Sequence, residues 1–180
     1  SVTTFQLAVR AVNHRPALGS VPAVFVIDEG VTLSFTNTAL DSDLPAQVLT
    51  FGLSNSPAGA TVGSSNGIFS WTTSEAQGPS TNQITIIVTD NGVSPLSDSK
   101  TFTVVVTEEN TAPVLTAIAD QTVVEGTLLL VTNTATDADI PANTLSFSLG
   151  TNSPSGAVIN PTNGVLSWTP SEAQGPSTNQ

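Results

Sequence analysis

The ten residues Ser74-Glu75-Ala76-Gln77-Gly78-Pro79-Ser80-Thr81-Asn82-Gln83 return letter for letter as Ser171 to Gln180, at an offset of 97. Identity over that length is not a product of local propensity. It marks a tandem repeat, and the period sets what one structural unit is. Working outward, Asn66-Gly67-Ile68-Phe69-Ser70-Trp71 meets Asn163-Gly164-Val165-Leu166-Ser167-Trp168. Ala39-Leu40-Asp41-Ser42-Asp43-Leu44-Pro45-Ala46 meets Ala135-Thr136-Asp137-Ala138-Asp139-Ile140-Pro141-Ala142 at an offset of 96. Asn13-His14-Arg15-Pro16-Ala17-Leu18 meets Asn110-Thr111-Ala112-Pro113-Val114-Leu115, and Thr4-Phe5-Gln6-Leu7-Ala8-Val9 precedes Thr101-Phe102-Thr103-Val104-Val105-Val106. The expected organisation is residues 1–12 as the terminal strand of a preceding repeat and 13–109 as a complete repeat. Residues 110–180 then form a second repeat that stops before its last two strands.

Each period reads as β-structure. Thr, Val and Ser dominate, whereas Lys, Arg and Glu are too scarce to build exposed helix faces. Val31, Leu33 and Phe35 alternate with hydroxyl residues, as do Leu49, Phe51 and Leu53 with their neighbours. Ile84, Ile86 and Val88 repeat the pattern, then Phe102, Val104 and Val106. Asn66-Gly67 and Asp90-Asn91-Gly92 supply residues that tolerate positive φ in turns. Strands are expected near 24–27, 31–37, 48–54, 60–62, 67–71, 82–89 and 100–107, the inventory of a seven-strand immunoglobulin-like sandwich. With no cysteine, the Cys-Trp-Cys core of antibody domains is absent. Trp71 and Trp168 hold one phase of the repeat. Without a cluster of further aromatics around them they read as core residues rather than a sugar-stacking platform.

Composition excludes several functions. Only 9% of residues are charged, yet 14 acids against three bases leave a net charge of −11. That balance repels nucleic acid and anionic lipid and favours divalent cations held by carboxylates. No apolar run reaches the roughly 18 residues of a membrane helix, so no membrane insertion is expected in this segment. No methionine occurs even at position 1, which reads as an excerpt of a longer polypeptide. His14 is the sole histidine, so neither a Ser-His-Asp nor a Cys-His arrangement nor a zinc site is expected. Paired carboxylates could hydrolyse glycosides only in a cleft, which repeated solvent-facing turns do not make. The expectation is therefore a protein that is not an enzyme.

The unit resembles the bacterial cadherin-like repeats, the immunoglobulin-like or dystroglycan-type cadherin-like domains of large surface proteins. The likeness is carried by Asn110-Thr111-Ala112-Pro113, Val124-Glu125-Gly126, Asp137-Ala138-Asp139 and Asn163-Gly164-Val165-Leu166-Ser167-Trp168-Thr169-Pro170. Unit 1 adds Ile87-Val88-Thr89-Asp90-Asn91-Gly92, and in order and spacing the likeness spans the whole chain. The resemblance implies all-β, tandem immunoglobulin-like (cadherin-like) sandwiches, the last one incomplete. It also implies calcium at the junctions between units. At the junction of units 1 and 2 the implied ligands are Glu29, Glu75, Glu108, Glu109, Asn110, Asp137 and Asp139. At the earlier junction they are Asn13, Asp41, Asp43 and Asp90, a poorer set because the linker acids are lost and Arg15 is gained. Calcium takes six to eight oxygens at about 2.3–2.6 Å, and at millimolar concentration would contribute only on the order of 1 kcal/mol, enough to stiffen a hinge but not to fold a sandwich. A second reading stays open: the same acids can merely solvate loops and blunt strand edges.

What the resemblance and composition imply together is a non-catalytic structural or adhesive segment of a secreted or surface-displayed bacterial fibre, stalk or adhesin. Its partners would be neighbouring repeats of its own chain or other copies in a fibre, with extracellular or cell-surface localisation. One alternative is an accessory β-sandwich of an extracellular carbohydrate-active enzyme. The other is a self-assembling filament subunit, in which Phe5, Leu7 and Val9 of one chain's leading strand complete the second unit of the next.

Overall fold

The computed structural model describes residues 3–4, 6–8 and 12–179. Phe5 and Val9, on which the leading-strand expectation rests, lie outside the described residues; residues 3–4 and 6–8 belong to no strand. The chain is all-β and divides into two compact units, Ser1–Glu109 and Asn110–Gln180.

Unit 1 is a two-layered sandwich. One sheet contains β2 (Val24–Asp28), β9 (Ser97–Thr107), β8 (Ser80–Thr89) and β5 (Thr50–Ser54), in that order. β2 runs parallel to β9, and the remaining neighbours are antiparallel. The other sheet contains β3 (Thr32–Thr36), β7 (Ile68–Thr72) and β6 (Thr61–Val62). These are the seven strands expected from the alternation. Two more went unanticipated: β1 (Ala17–Leu18) pairs with β4 (Ala39–Leu40). Two-residue strands carry too little alternation to be read from sequence.

The period-2 pattern does what it should: one side of each strand enters the core, the other stays wet. Phe69, Trp71, Ile84, Ile86, Val88 and Val104 are fully buried, and Phe102 and Val106 nearly so. Phe102 stands edge-on to Phe25, Phe35 and Phe69 at 5.6, 5.4 and 5.4 Å between ring centroids. Trp71 is a core residue whose Nε1 donates to Ala58 O at 3.2 Å, which satisfies its one polar atom. On the solvent side of the large sheet, Thr85 pairs with Thr101 and Thr89 with Ser97 through hydroxyls at 2.8 Å.

Unit 2 contains β10 (Val114–Leu115) paired with β12 (Ala135–Thr136), and a sheet of β11 (Leu129–Thr132), β14 (Val165–Trp168) and β13 (Val158–Ile159). The local chemistry copies unit 1. Asn37 Nδ2 donates to Gly67 O at 2.9 Å, and Asn133 Nδ2 to Gly164 O at 2.8 Å. Both glycines have positive φ and lie so close to the asparagine carbonyl that any Cβ would collide with it.

One expectation is overturned. All strands corresponding to 24–71 were anticipated in unit 2, but residues 121–125 and 145–150 form none. In unit 1 the matching strands, β2 and β5, are held only by β9 and β8. Of those partners only the first three residues of β8 are matched among the described residues of unit 2, by Ser177–Asn179, which form no strand, and a strand without a ladder is not a strand. The consequences reach the core. The Trp168 indole donates to Ser155 O at 3.2 Å, as Trp71 does to its own loop, yet β14 is only partly buried along its length, while Phe69 and Trp71 of β7 are sealed.

Candidate metal centre

Three of the acids singled out in the sequence come together in unit 1. Glu29, Glu75 and Glu108 each bring a carboxylate oxygen to within 4.8 Å of the others. The arrangement follows from the fold. Because β2 and β9 are parallel with Asp28 opposite Thr107, the next residues, Glu29 and Glu108, leave adjacent strands side by side. Glu29 N–H donates to Thr107 O at 3.0 Å, which fixes the pairing to the last residue before the acids. Glu75 opens the short 3-10 turn Glu75–Gln77 after β7, with Ser74 and Gln77 closing a capping box over it. Thr73 anchors that segment by donating its hydroxyl to Asp28 O at 3.2 Å and its N–H to Val31 O at 3.3 Å. The carboxylate of Glu29, 8% exposed, lies over Gly78, where any Cβ would be under 3.0 Å from Oε2.

Glu109 is not part of this cluster; its side chain is exposed and its N–H donates to Glu29 Oε1 at 3.4 Å. Unit 2 holds copies of two of the three acids, Glu125 and Glu172. Glu125 is exposed where Glu29 is buried, because the strand that would carry it is unpaired.

Unit 2 places its own acids in a tight loop. Asp139, 2% exposed, accepts from Thr111 N–H at 3.1 and 3.2 Å, from Thr111 Oγ1 at 2.5 Å and from Asn143 Nδ2 at 2.5 Å. Its N–H donates to Asp137 Oδ1 at 3.0 Å, so the two aspartates share one turn. The Thr111 hydroxyl is the main cause holding the Asp139 carboxyl below its ordinary range, against the opposing effect of burial. Asn110 is exposed and accepts from Asn143 Nδ2 at 3.2 Å.

The second set, Asn13, Asp41, Asp43 and Asp90, forms a connected network in unit 1. Asn13 Nδ2 donates to both Asp90 oxygens at 3.1 and 3.2 Å, and Asp43 N–H donates to Asp41 Oδ1 at 2.8 Å. Gln47 Nε2 joins the two halves by donating to Asn13 Oδ1 at 2.5 Å and to Asp43 Oδ2 at 2.8 Å. His14 completes it, with its N–H 2.8 Å from Asp43 Oδ2 and Nδ1 2.7 Å from Oδ1. The His14 N–H, then its ring, hold the Asp43 carboxyl below the usual range. At Asp90 burial pushes upward, but Asn13 and the N–H groups of Leu96 and Gly92 outweigh it and leave the group low.

His14, Gln47, Thr111 and Asn143 stand in neither of the ligand sets expected from the sequence. The signal was present: Gln47 and Asn143 each follow the second aspartate of the loop by four residues, and His14 and Thr111 share a repeat phase.

The β-layers and repeated loops define a class, tandem immunoglobulin-like modules of the cadherin-like kind. The family described as "Putative Ig domain" matches residues 15–107 and again 112–179. The chain belongs to that family. Among solved structures it is similar to human protocadherin-24 EC1-2, form II, with 20% identity over 88% of this chain and 81% of that one and a TM-score of 0.49. It is also similar to human CDH23 EC21-23, with 24% identity over 84% of this chain and 53% of that one and a TM-score of 0.47. The protocadherin GammaB4 extracellular domain shares 19% identity over 90% of this chain and 30% of that one, at a TM-score of 0.47. The chain thus spans about half or less of two of these three relatives. No curated protein matches the sequence.

Proposed function

We propose that the chain is a non-catalytic structural and adhesive repeat segment of a secreted or surface-displayed bacterial fibre, stalk or adhesin. In this reading the sandwiches act as rigid spacers, and calcium is held by Glu29, Glu75 and Glu108 where the chain leaves unit 1. The observation that carries it is the convergence of those three carboxylates. Their donor set fits calcium: all ligands are hard oxygens, and oxygens on one calcium at about 2.4 Å each lie no more than about 4.8 Å apart. The spacing of the three, within 4.8 Å, matches that limit. Bound there, the ion supplies charge neutralisation. The protein's part is to hold three like charges together by strand register, so that the exit of β9 is fixed when they are bridged.

Asp137 and Asp139 belong to the same reading as the acids of the following unit, with Thr111 and Asn143 keeping that loop formed. Asn13, Asp41, Asp43 and Asp90 are the corresponding loops of unit 1, where hydrogen bonds from His14 and Gln47 take up the carboxylate of Asp43. The test is calorimetric titration of the 180-residue chain with calcium chloride, beside a Glu29→Gln/Glu108→Gln variant. The proposal expects millimolar or tighter binding that the variant loses; equal heats from both chains would refute it. Small-angle scattering with and without chelator then asks whether binding stiffens the chain.

A further inference from the structure

We propose that Asn91-Gly92, in the loop joining β8 to β9, is a self-modification site: Gly92 N attacks the Asn91 side-chain amide, and the resulting succinimide opens to aspartate or isoaspartate at position 91. The chain holds three Asn-Gly pairs, Asn66-Gly67, Asn91-Gly92 and Asn163-Gly164. In each, glycine leaves the attacking nitrogen unshielded by a side chain. The fold surrounds one of them with the groups this reaction needs.

Asn91 is exposed, so ammonia can leave and water can enter. Gly92 N–H donates to Asp90 Oδ1 at 3.0 Å, within the reach required of a general base. Asn91 Oδ1 accepts from Val48 N–H at 2.8 Å, a distance at which a donor stabilises an oxyanion. One carboxylate thus faces the nucleophile, and one backbone N–H faces the oxygen where charge develops. Asp90 is itself held in place by Leu96 N–H at 3.1 Å and by Asn13 Nδ2 at 3.1 and 3.2 Å. Those bonds make it a weaker base than a free carboxylate, but a neutral carbonyl in its place could take no proton at all.

The other two pairs meet such carbonyls. Gly67 N–H donates to Gly63 O at 2.8 Å and Gly164 N–H to Asn160 O at 3.0 Å. Each of these glycines is also clamped on its other side. Gly67 O accepts from Asn37 N and Nδ2, both at 2.9 Å, and Gly164 O from Asn133 N at 3.0 Å and Nδ2 at 2.8 Å. The peptide plane must turn for its nitrogen to reach the side-chain carbon, and those clamps hold it. Gly92 O accepts no hydrogen bond among the described residues, and residues 90–96 belong to no strand.

The atoms balance with water as the one co-reactant. The bond from Gly92 N to Asn91 Cγ forms as the N–H proton passes to Asp90. Asp90 returns that proton to Asn91 Nδ2, the Cγ–Nδ2 bond breaks, and ammonia leaves. Water then cleaves one of the two imide C–N bonds, and cleavage on the main-chain side leaves isoaspartate, with one extra methylene in the backbone. The loop has no room for it: even a Cβ on Gly92 would collide with the Asn13 side chain. Lengthening the chain here withdraws Gly92 from Asp90 and pushes Asn13 off Ser94 O, to which its Nδ2 donates at 3.2 Å. The modification therefore unclasps the Asn13 segment from the β8–β9 loop.

The test is mass-spectrometric peptide mapping of the 180-residue chain aged in neutral buffer with chelator, folded and in urea, with fragmentation that separates aspartate from isoaspartate. In urea the three pairs should react alike. In the folded chain Asn91 should outpace Asn66 and Asn163 by at least about tenfold, and Asp90→Asn should slow it at least about tenfold, as expected for loss of a general base. The comparison of the three pairs uses the parent chain alone, so it decides the matter whatever the variant does to the loop. Equal folded rates at the three pairs, the same order of rates persisting in urea, or an unchanged rate at Asn91 in the Asp90→Asn chain would each overturn the proposal. Chelator keeps the result independent of calcium.

Discussion

Replacing Gly78 by alanine tests the metal reading with the least disturbance to the fold. Gly78 has φ −106° and ψ 153°, a backbone any residue adopts, so alanine introduces no strain of its own. Its new Cβ would lie under 3.0 Å from Glu29 Oε2 and at 3.2 Å from both Glu29 Cβ and Cδ. A carbon and an oxygen settle near 3.3–3.5 Å, so the carboxylate must retreat by about 1 Å or swing out. Calcium–oxygen distances vary by only about 0.3 Å, so a ligand displaced that far is lost. Losing one of three carboxylates should weaken calcium at least about tenfold, or about 1.4 kcal/mol. Without calcium the change in stability should stay within about 1 kcal/mol, since alanine also restricts the unfolded chain. Unit 2 supplies the control: Gly175→Ala crowds Glu125 in the same way and should leave the affinity of the first-unit site unchanged. Calorimetric titration of the three chains decides it. Equal dissociation constants for Gly78→Ala and the parent would refute the assignment of Glu29 as a ligand.

Phe102→Ala should cost unit 1 about 3–5 kcal/mol in urea unfolding, because a nearly sealed ring edge-on to three others leaves a cavity, while Phe102→Leu should cost about 1.5 kcal/mol or less. A loss below 1 kcal/mol for alanine would contradict the packing described. With single-tryptophan chains, Trp168 in a Trp71→Phe background should be quenched by acrylamide more readily than Trp71 in a Trp168→Phe background; equal quenching would mean unit 2 is closed. Thr111→Val should raise the Asp139 carboxyl pKa, since the hydroxyl that most lowers it is gone. A carboxyl held low in the folded state adds stability above its unfolded value near 3.9, and that stability is lost as pH falls through the folded value. The variant should therefore lose stability at a higher pH on acidification, below about pH 4, and an unchanged carboxyl titration by NMR would refute the role of Thr111.

The sequence alone determined the period, the all-β class and seven strand positions of the first unit. These are local quantities: alternation with period 2 picks the inward face of each strand, and Asn-Gly pairs mark turns wherever they occur. A family resemblance, rather than spacing, grouped Glu29, Glu75 and Glu108 with Glu109, Asn110, Asp137 and Asp139, and did not tell the three that converge from the other four. Only the tertiary structure could show that parallel pairing of β2 with β9 delivers Glu29 and Glu108 from adjacent strands, and that Gly78 leaves room for the first of them. It alone showed that residues 121–125 and 145–150 stay out of strands despite their alternation. Propensity belongs to a segment, but a strand belongs to a pair, and whether the partner is present is not written in the segment itself.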